Sequence, residues 1–252
     1  MKFRLLDTGF NKAALNMGID ESILRHVSEG KSLQTIRFYG WSPPAVSIGY
    51  FQSLEEEVDL EACKKYGVDC VRRITGGGAV YHDRELTYSF IAPEDNTIVP
   101  KDIMESYKTV CSGLIRGLGV LGISSEFAPL NDIIAGGKKI SGNAQTRREG
   151  CILQHGTILL DVDVERMFML LKVPSEKMRD KIIQNARERV TSARRMLKAE
   201  VPYAEAAKAF EEGFQTALGI EFVKGELSQS ELDYAYKIAE EKYSSIGWNQ
   251  RR

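Results

Sequence analysis

Three short stretches of this 252-residue chain hold side chains suited to gripping and activating an anion. The first, RRITGGGAVYHD at 72–83, sets Arg72 and Arg73 ahead of Gly76-Gly77-Gly78 and closes on His82 and Asp83. Three successive glycines give up side-chain packing and add unfolded-state entropy, so bare backbone must serve something there. One use is a turn whose N–H groups point inward to a phosphate or carboxylate. The bland use is a permissive turn joining two strands. Neighbouring strand residues face opposite sides, so one arginine is available for a bidentate, charge-assisted contact with that anion. No Gly-Lys-Ser/Thr follows, and AVYHD reads as strand rather than helix, so neither the Walker loop nor the dinucleotide fingerprint fits.

The second stretch, NDIIAGGKKISGNAQ, places Lys138 and Lys139 side by side on a strand, where they point to opposite faces. One is solvated; the other can reach a cleft as a point charge, although two surface lysines after a hairpin turn remain the plain alternative. Asp132 could help hold Mg²⁺ beside nucleotide phosphates, or Asn131-Asp132 could be ordinary turn chemistry. The third, GCILQHGTILLDV, interrupts an apolar strand with His155, and Gly156 after it signals close backbone approach. A satisfied core histidine is the competing reading. Cys151 opens this strand and could carry an acyl group as a thioester, which needs a lowered pKa and a nearby base. His155 shares its strand face but lies roughly 13 Å along an extended chain. The scattered histidines (His26, His82, His155) and the lack of a cysteine cluster speak against zinc.

These residues need a frame. FRLLDT reads as a strand, followed by a helix from an N-cap at Asn11 to a stop at Gly30, with Leu15, Ile19, Ile23 and Val27 as its apolar stripe. TIRFYG and AVSIGY are strands split by Pro43-Pro44. DLEACKKYG is a short helix, DCVRR a strand, and AVYH and LTYSFIA a strand pair. A helix spans about 101–118, and Gly136-Gly137 marks a hairpin. From Val164 the chain turns helical in VERMFMLL, SEKMRDKIIQN, YAEAAKAFEEGFQTAL and QSELDYAYKIAEEKY, the last opened by a Ser228/Glu231 capping box. Strands crowd the first two-thirds without regular βαβ alternation. That order predicts an α+β fold with a mixed or antiparallel sheet, in one domain of 1–252 whose segment from about 163 is helical.

Charged residues make up 27% and hydrophobic ones 43%, with Lys+Arg 34 against Asp+Glu 35. That balance suggests neither nucleic acid nor an anionic membrane as partner. No apolar run approaches the roughly 20 residues that span a bilayer. MKFRLLDTGFNK lacks a signal-peptide pattern, and four spaced cysteines fit free thiols in a reducing cytoplasm.

Taken together, RRITGGGAVYHD, Asn131-Asp132, KKISG at 138–142 and HGTILL at 155–160 resemble the lipoate–protein ligase family, part of a wider group of lipoyl and biotinyl ligases and octanoyltransferases. The likeness runs over nearly the whole chain. It implies a mixed, largely antiparallel sheet flanked by helices, as in biotin ligases and class II synthetases. It also implies a two-step reaction: lipoate, ATP and Mg²⁺ give lipoyl-adenylate, and the acyl group passes to a lysine of a carrier domain. Such carriers are 2-oxoacid dehydrogenase E2 subunits or the glycine cleavage H protein. By resemblance Lys139 is the catalytic lysine. Arg72, Gly76, Gly77, Gly78, Ala79, His82, Asp83, His155, Gly156 and Thr157 would surround the lipoyl-adenylate, with Asp132 toward Mg²⁺. The physical sense is that positive charge offsets repulsion between carboxylate and α-phosphate.

The resemblance has departures. Ligases of this family often carry an accessory C-terminal domain, and none is evident here, so a separate subunit could supply it. FYGWSPPAVSIGYFQ and KYSSIGWNQRR look like the related octanoyltransferases, which take octanoyl from acyl carrier protein through a cysteine and use no ATP. Their cysteine lies in an extra segment ahead of the GKKISG-like strand, and the gap from Gly122 to Gly137 here is short and has none. Their glycine segment tends to read Gly-Gly-Arg-Gly. The expectation is therefore an ATP-dependent lipoate ligase. The alternatives are a cysteine-dependent octanoyl or lipoyl transferase using Cys151, or a non-catalytic lipoyl-binding subunit.

Overall fold

In the computed structural model, which describes residues 1–172 and 176–251, the first half runs β1 (Lys2–Asn11), α1 (Ala13–Ser28), β2 (Thr35–Trp41), β3 (Ala45–Ile48), α2 (Leu54–Glu57), α3 (Leu60–Tyr66), β4 (Asp69–Arg72), β5 (Val80–His82), β6 (Glu85–Pro93) and α4 (Ile103–Val120). The second half runs β7 (Glu126–Ala128), β8 (Asp132–Ala135), β9 (Lys138–Arg148), β10 (Cys151–Leu159), α5 (Val164–Leu170), α6 (Glu176–Arg189), α7 (Ala193–Leu197), α8 (Tyr203–Leu218), β11 (Glu221–Lys224), α9 (Gln229–Ile238) and α10 (Ile246–Asn249). Eight strands form one sheet in the order β11-β1-β2-β6-β10-β9-β8-β7, and β4-β3-β5 form a second. In the large sheet β1 is parallel to β2 and β11, and every other pairing is antiparallel. The α+β expectation holds.

The central strands β2 and β6 are buried almost throughout because helices cover both sheet faces. On one face α4 and α8 close over Phe3, Phe38, Tyr88, Phe90, Phe210 and Phe214. On the other, Ile19, Ile23 and Val27 of α1 meet Tyr39, Ile91 and Leu153, with Ala235 and Ile238 of α9 beside them. Each such side chain contributes roughly 1.5–3 kcal/mol when fully buried. A smaller cluster under the second sheet joins Val46 and Ile48 to Leu54, Cys63 and Leu170.

Local signals explain most boundaries. α1 ends before Gly30 at φ 67°, and α3 begins where Asp59 accepts from the Ala62 amide and ends at Gly67 at φ 64°. The Ser228/Glu231 capping box is present at α9. Buried Glu231 also takes Arg4 at 2.6 Å, tying α9 to β1. Burial works against its charge, but Arg4, the Ser228 amide and Ser32 hold the carboxyl down to about 2. The N-cap of α1 is Lys12 rather than Asn11, which ends β1 and donates its side-chain Nδ2 to the Thr8 carbonyl at 2.9 Å. TIRFYG and AVSIGY fall in different sheets. SEKMRDKIIQN begins at Ser175, outside the described residues; α6 covers its remainder. Among the described residues, no helix is long and apolar enough to cross a membrane.

Candidate active site: a pocket shared by the two sheets

A pocket of about 660 Å³, its solvent-open mouth included, lies where the two sheets face each other. Met17 of α1 with Tyr39 and Trp41 of β2 form a buried apolar end. Gly77 and Gly78 are exposed, and with half-exposed Lys139 and Asn131 they line its polar side. Ala79, His82, His155, Gly156 and Thr157 also line it.

The glycine segment is a loop held from beneath. Arg73 spends its guanidinium on that loop: Nη2 donates to the Gly76 and Gly78 carbonyls, both at 2.8 Å, Nε to Thr75 Oγ1 at 3.1 Å, and Nη1 to the Ser47 carbonyl at 3.2 Å. Burial pushes this guanidinium down to about 10. Gly77 sits at φ 94°, and a Cβ there would come within 2.8 Å of Arg73 Nη2, so this glycine answers to backbone shape and to the arginine under it. Cβ atoms on Gly76 and Gly78 would meet nothing within 4 Å. Among the described residues, the amides of Gly77 and Gly78 find no protein acceptor, which leaves them free for a ligand.

Arg72 corrects the expectation that it faces the anion. It is fully buried, with Nη1 on the Gly49, Tyr50 and Gln52 carbonyls and Nη2 on the Asn249 and Arg251 carbonyls. Alternation along β4 sends it to the side where the C-terminal segment docks. Neither arginine offers a free fork: Arg73 lines the pocket but is committed to the glycine loop and Ser47, and Lys139 is the other cation of the lining among the described residues.

Lys139 stands on β9 with Nζ 2.7 Å from Asp132 Oδ1 of β8. A Cβ on Gly142 would come within 2.9 Å of that ammonium group, so the small residue after KKIS clears its path. The strand is pinned from behind where the Thr191 amide donates to the Lys139 carbonyl at 2.8 Å. Asp132 itself does not line the pocket; its carboxylate is engaged by Lys139. Asn131 and Asn143 exchange side-chain-to-backbone hydrogen bonds, and Asn143 Oδ1 accepts from the Tyr88 hydroxyl at 2.8 Å. Gly156 is required there, since any Cβ would drive into Asn143.

Both pocket histidines bridge a hydroxyl to a carboxylate. His155 Nε2 lies 2.7 Å from Thr75 Oγ1 and its Nδ1 lies 3.2 Å from Asp20 Oδ2. Asp20 also accepts from Arg37 Nη1 at 2.6 Å, Ser89 Oγ at 2.7 Å and the Tyr39 hydroxyl at 3.2 Å. Burial raises the Asp20 carboxyl, yet Arg37, His155 and Ser89 outweigh it and hold it below the usual range. Burial pushes the His155 imidazole down, against the pull of Asp20. His82 Nε2 lies 2.7 Å from Ser47 Oγ and its Nδ1 lies 2.7 Å from Glu85 Oε1. Its ring stacks on Trp41 at 4.0 Å and 16°.

Other expected residues fall elsewhere. Gly76 is not part of the pocket lining, although its carbonyl anchors Arg73. Asp83 lies in a separate groove with Tyr81 and Arg84, as the alternation after His82 dictates. Cys151 is buried among Val71, Ile91 and Leu153 and does not reach the pocket. Burial, then Glu149, Glu94 and Asp95, push its thiol up to about 11, the opposite of an activated nucleophile. Cys63, Cys70 and Cys111 do not line the pocket either. Asp20, Arg37, Ser47 and Glu85 carry no reading as site residues in the sequence, and Thr75 enters only as part of RRITGGGAVYHD; a charged Arg37 inside the apolar TIRFYG strand is the one local sign.

Residues 12–215 match the lipoyl protein ligase A/B catalytic domain. The chain belongs to that family. It is 39% identical to octanoyltransferase LipM of Bacillus subtilis (strain 168), covering 99% of this chain and 98% of that protein. It also resembles a chain of the bipartite lipoate protein ligase of Thermoplasma acidophilum, from a lipoylation system with an E2 lipoyl domain, at 35% identity and a TM-score of 0.91, covering 100% and 98% of the two chains. A crystal structure of lipoate-protein ligase A bound with ATP is 34% identical over 99% of each chain, with a TM-score of 0.84. The expectation of an ATP-dependent ligase is overturned by the curated relatives: those 36–40% identical over nearly the full length are octanoyltransferases. Lipoyl-group chemistry stands, and ATP with Mg²⁺ loses the reading that called for it.

Proposed function

We propose that this chain is an acyltransferase that takes an octanoyl- or lipoyl-type acyl group from a carrier thioester and places it on a lysine amine of a lipoyl carrier domain, without ATP. Its relatives' transferase chemistry supports this reading, and one observation of the site carries it. A single pocket joins a buried apolar end at Met17, Tyr39 and Trp41 to a cationic, amide-rich side at Lys139, Gly77 and Gly78. An eight-carbon tail suits the first, and a carbonyl on its way to a tetrahedral oxyanion suits the second.

A thioester is already activated, so the chain needs no adenylate to make the carbonyl reactive. What it must supply is stabilisation of the oxyanion. The Lys139 ammonium, steadied by Asp132 at 2.7 Å, and the open glycine amides are the donors for that task. One such donor is worth about 2.7–4 kcal/mol of barrier in comparable sites. The acceptor would be the exposed lysine of a lipoyl domain, as on 2-oxoacid dehydrogenase E2 subunits or the glycine cleavage H protein. Residues 1–252 would act as one catalytic domain in the cytoplasm, where both carriers and free thiols belong.

The test is to mix the purified chain with octanoyl-acyl carrier protein and an unmodified lipoyl domain, omitting ATP, and to weigh the domain by mass spectrometry. Gain of one octanoyl group on its acceptor lysine is expected. Modification that appears only when ATP and free octanoate or lipoate are added would refute the proposal.

A further inference from the structure

We infer that Ser47, activated by His82 and positioned through Glu85, carries the acyl group as an ester between donor and acceptor. This rests on the acyltransferase reading above. The four cysteines of the chain all lie away from the pocket, so a thiol is not at hand. A hydroxyl is. Ser47 and His82 both line the pocket, with Ser47 Oγ 2.7 Å from His82 Nε2.

The remaining geometry suits a nucleophile. Glu85 Oε1 accepts from His82 Nδ1 at 2.7 Å, which assigns the proton to Nδ1 and leaves Nε2 as the acceptor for the Ser47 hydroxyl. Glu85 Oε1 also takes the Thr87 hydroxyl at 2.6 Å, and Thr87 in turn accepts from the Trp41 indole at 2.8 Å. Trp41 stacks on the His82 ring, so the imidazole is fixed in plane and tilt. Arg73 Nη1 reaches Ser47 Oγ at 3.1 Å, placing positive charge where an alkoxide would form. The three side chains come from β3, β5 and β6, and a hydroxyl, base and orienting carboxylate in this order constitute the general signature of an activated nucleophile. Thr75 has the same kind of partners through His155 and Asp20, but Thr75 does not line the pocket.

The chemistry balances. Ser47 Oγ attacks the thioester carbonyl as its proton passes to His82 Nε2, forming a C–O bond. The C–S bond then breaks, and the departing thiolate takes the proton from His82. In the second half the neutral amine of the carrier lysine attacks the ester, forming a C–N bond. The C–O bond breaks, and one amine proton returns through His82 to Ser47. Thioester and amine are consumed; amide and thiol are released.

The test loads the chain with octanoyl-acyl carrier protein in the absence of acceptor, quenches in acid, and locates octanoyl by peptide mass spectrometry. The expected result is octanoyl on the peptide holding Ser47, lost in His82→Gln, with Ser47→Ala slowing transfer by about 10³-fold or more. Ser47→Cys should trap the same acyl group as a hydroxylamine-labile thioester, which separates loss of the nucleophile from misfolding. Glu85→Gln, a positioning change, should move the pH dependence of transfer as well as its rate. Wild-type chain that modifies the lipoyl domain yet carries no octanoyl on Ser47, with Ser47→Ala still active, overturns the inference and leaves the transferase reading standing. Chain that neither loads nor transfers overturns both.

Discussion

His82 and His155 face the same pocket, and each lies 2.7 Å from a hydroxyl on one side and reaches a carboxylate on the other. They differ in how the carboxylate is held. Asp20, behind His155, receives Arg37, Ser89 and Tyr39 as well, and Arg37 adds Asn16 and Thr8 to the network. Glu85, behind His82, receives a hydroxyl and an imidazole on one oxygen, while its second oxygen is buried without a partner among the described residues. A saturated network fixes shape; an unsaturated one in a low-dielectric pocket keeps electrostatic force to spend on chemistry. The same trio of groups thus serves as a brace between α1, β2 and β10 in one place and as a poised nucleophile in the other.

The largest effect should come from breaking the brace. Arg37→Met leaves Asp20 charged, buried and short of its main partner, which costs about 3–5 kcal/mol. Urea unfolding would register it, and a loss under 1 kcal/mol, by the reckoning for surface changes, would mean the two networks do not differ in kind.

Lys139→Met sharpens the comparison from the other side, because neither relay supplies a free cation to the pocket. It should lower the transfer rate by about 10²–10³-fold. Its side chain is 43% exposed, so stability should move by no more than about 0.5 kcal/mol. Gly77→Ala comes next: a Cβ at φ 94° and against Arg73 should cost roughly 1–2 kcal/mol and loosen the loop that Arg73 ties to Ser47. Thermal unfolding beside the rate for bound octanoyl donor would show both.

The smallest effect is in pH. Burial holds His155 below its usual value of 6.5, so the unfolded chain takes up that proton before the folded one does. Stability from this site is complete above 6.5 and declines as pH falls toward the lowered folded value. Asp20 adds a second decline below its ordinary 3.8, as it too is depressed in the fold. Urea midpoints at falling pH should trace the first decline in the wild type and lose it in His155→Gln.

Much of this was legible in the chain. Gly76-Gly77-Gly78, Lys139, His82 and His155 declared themselves because each is the wrong residue for its surroundings: bare backbone between strands, or a polar side chain on an apolar run. The frame was legible for a similar reason, since α1's four-residue stripe and the Ser228/Glu231 box are local signals. The relays were not. Asp20, Ser47 and Glu85 are ordinary residues in ordinary elements; Ser47 and Asp20 take their meaning from partners 35 and 135 positions away, and Glu85 takes its own only through the His82 that meets Ser47. Alternation told that Arg72 and Arg73 part ways, but not that the C-terminal carbonyls at Asn249 and Arg251 would claim the former. Strands β7 and β11 escaped because three or four exposed or half-exposed edge residues carry almost no pattern.

The central claim is that acyl transfer happens in this pocket, from a thioester, without ATP and without Cys151. The most direct measurement compares wild type with Cys151→Ala for octanoyl transfer from acyl carrier protein to a lipoyl domain in ATP-free buffer. Equal rates are expected, because Cys151 lies in the same buried core cluster as Ile91 and Leu153, off the pocket, with its thiol pushed up to about 11. A dead Cys151→Ala variant that still folds, or a wild type silent until ATP is added, would contradict the account.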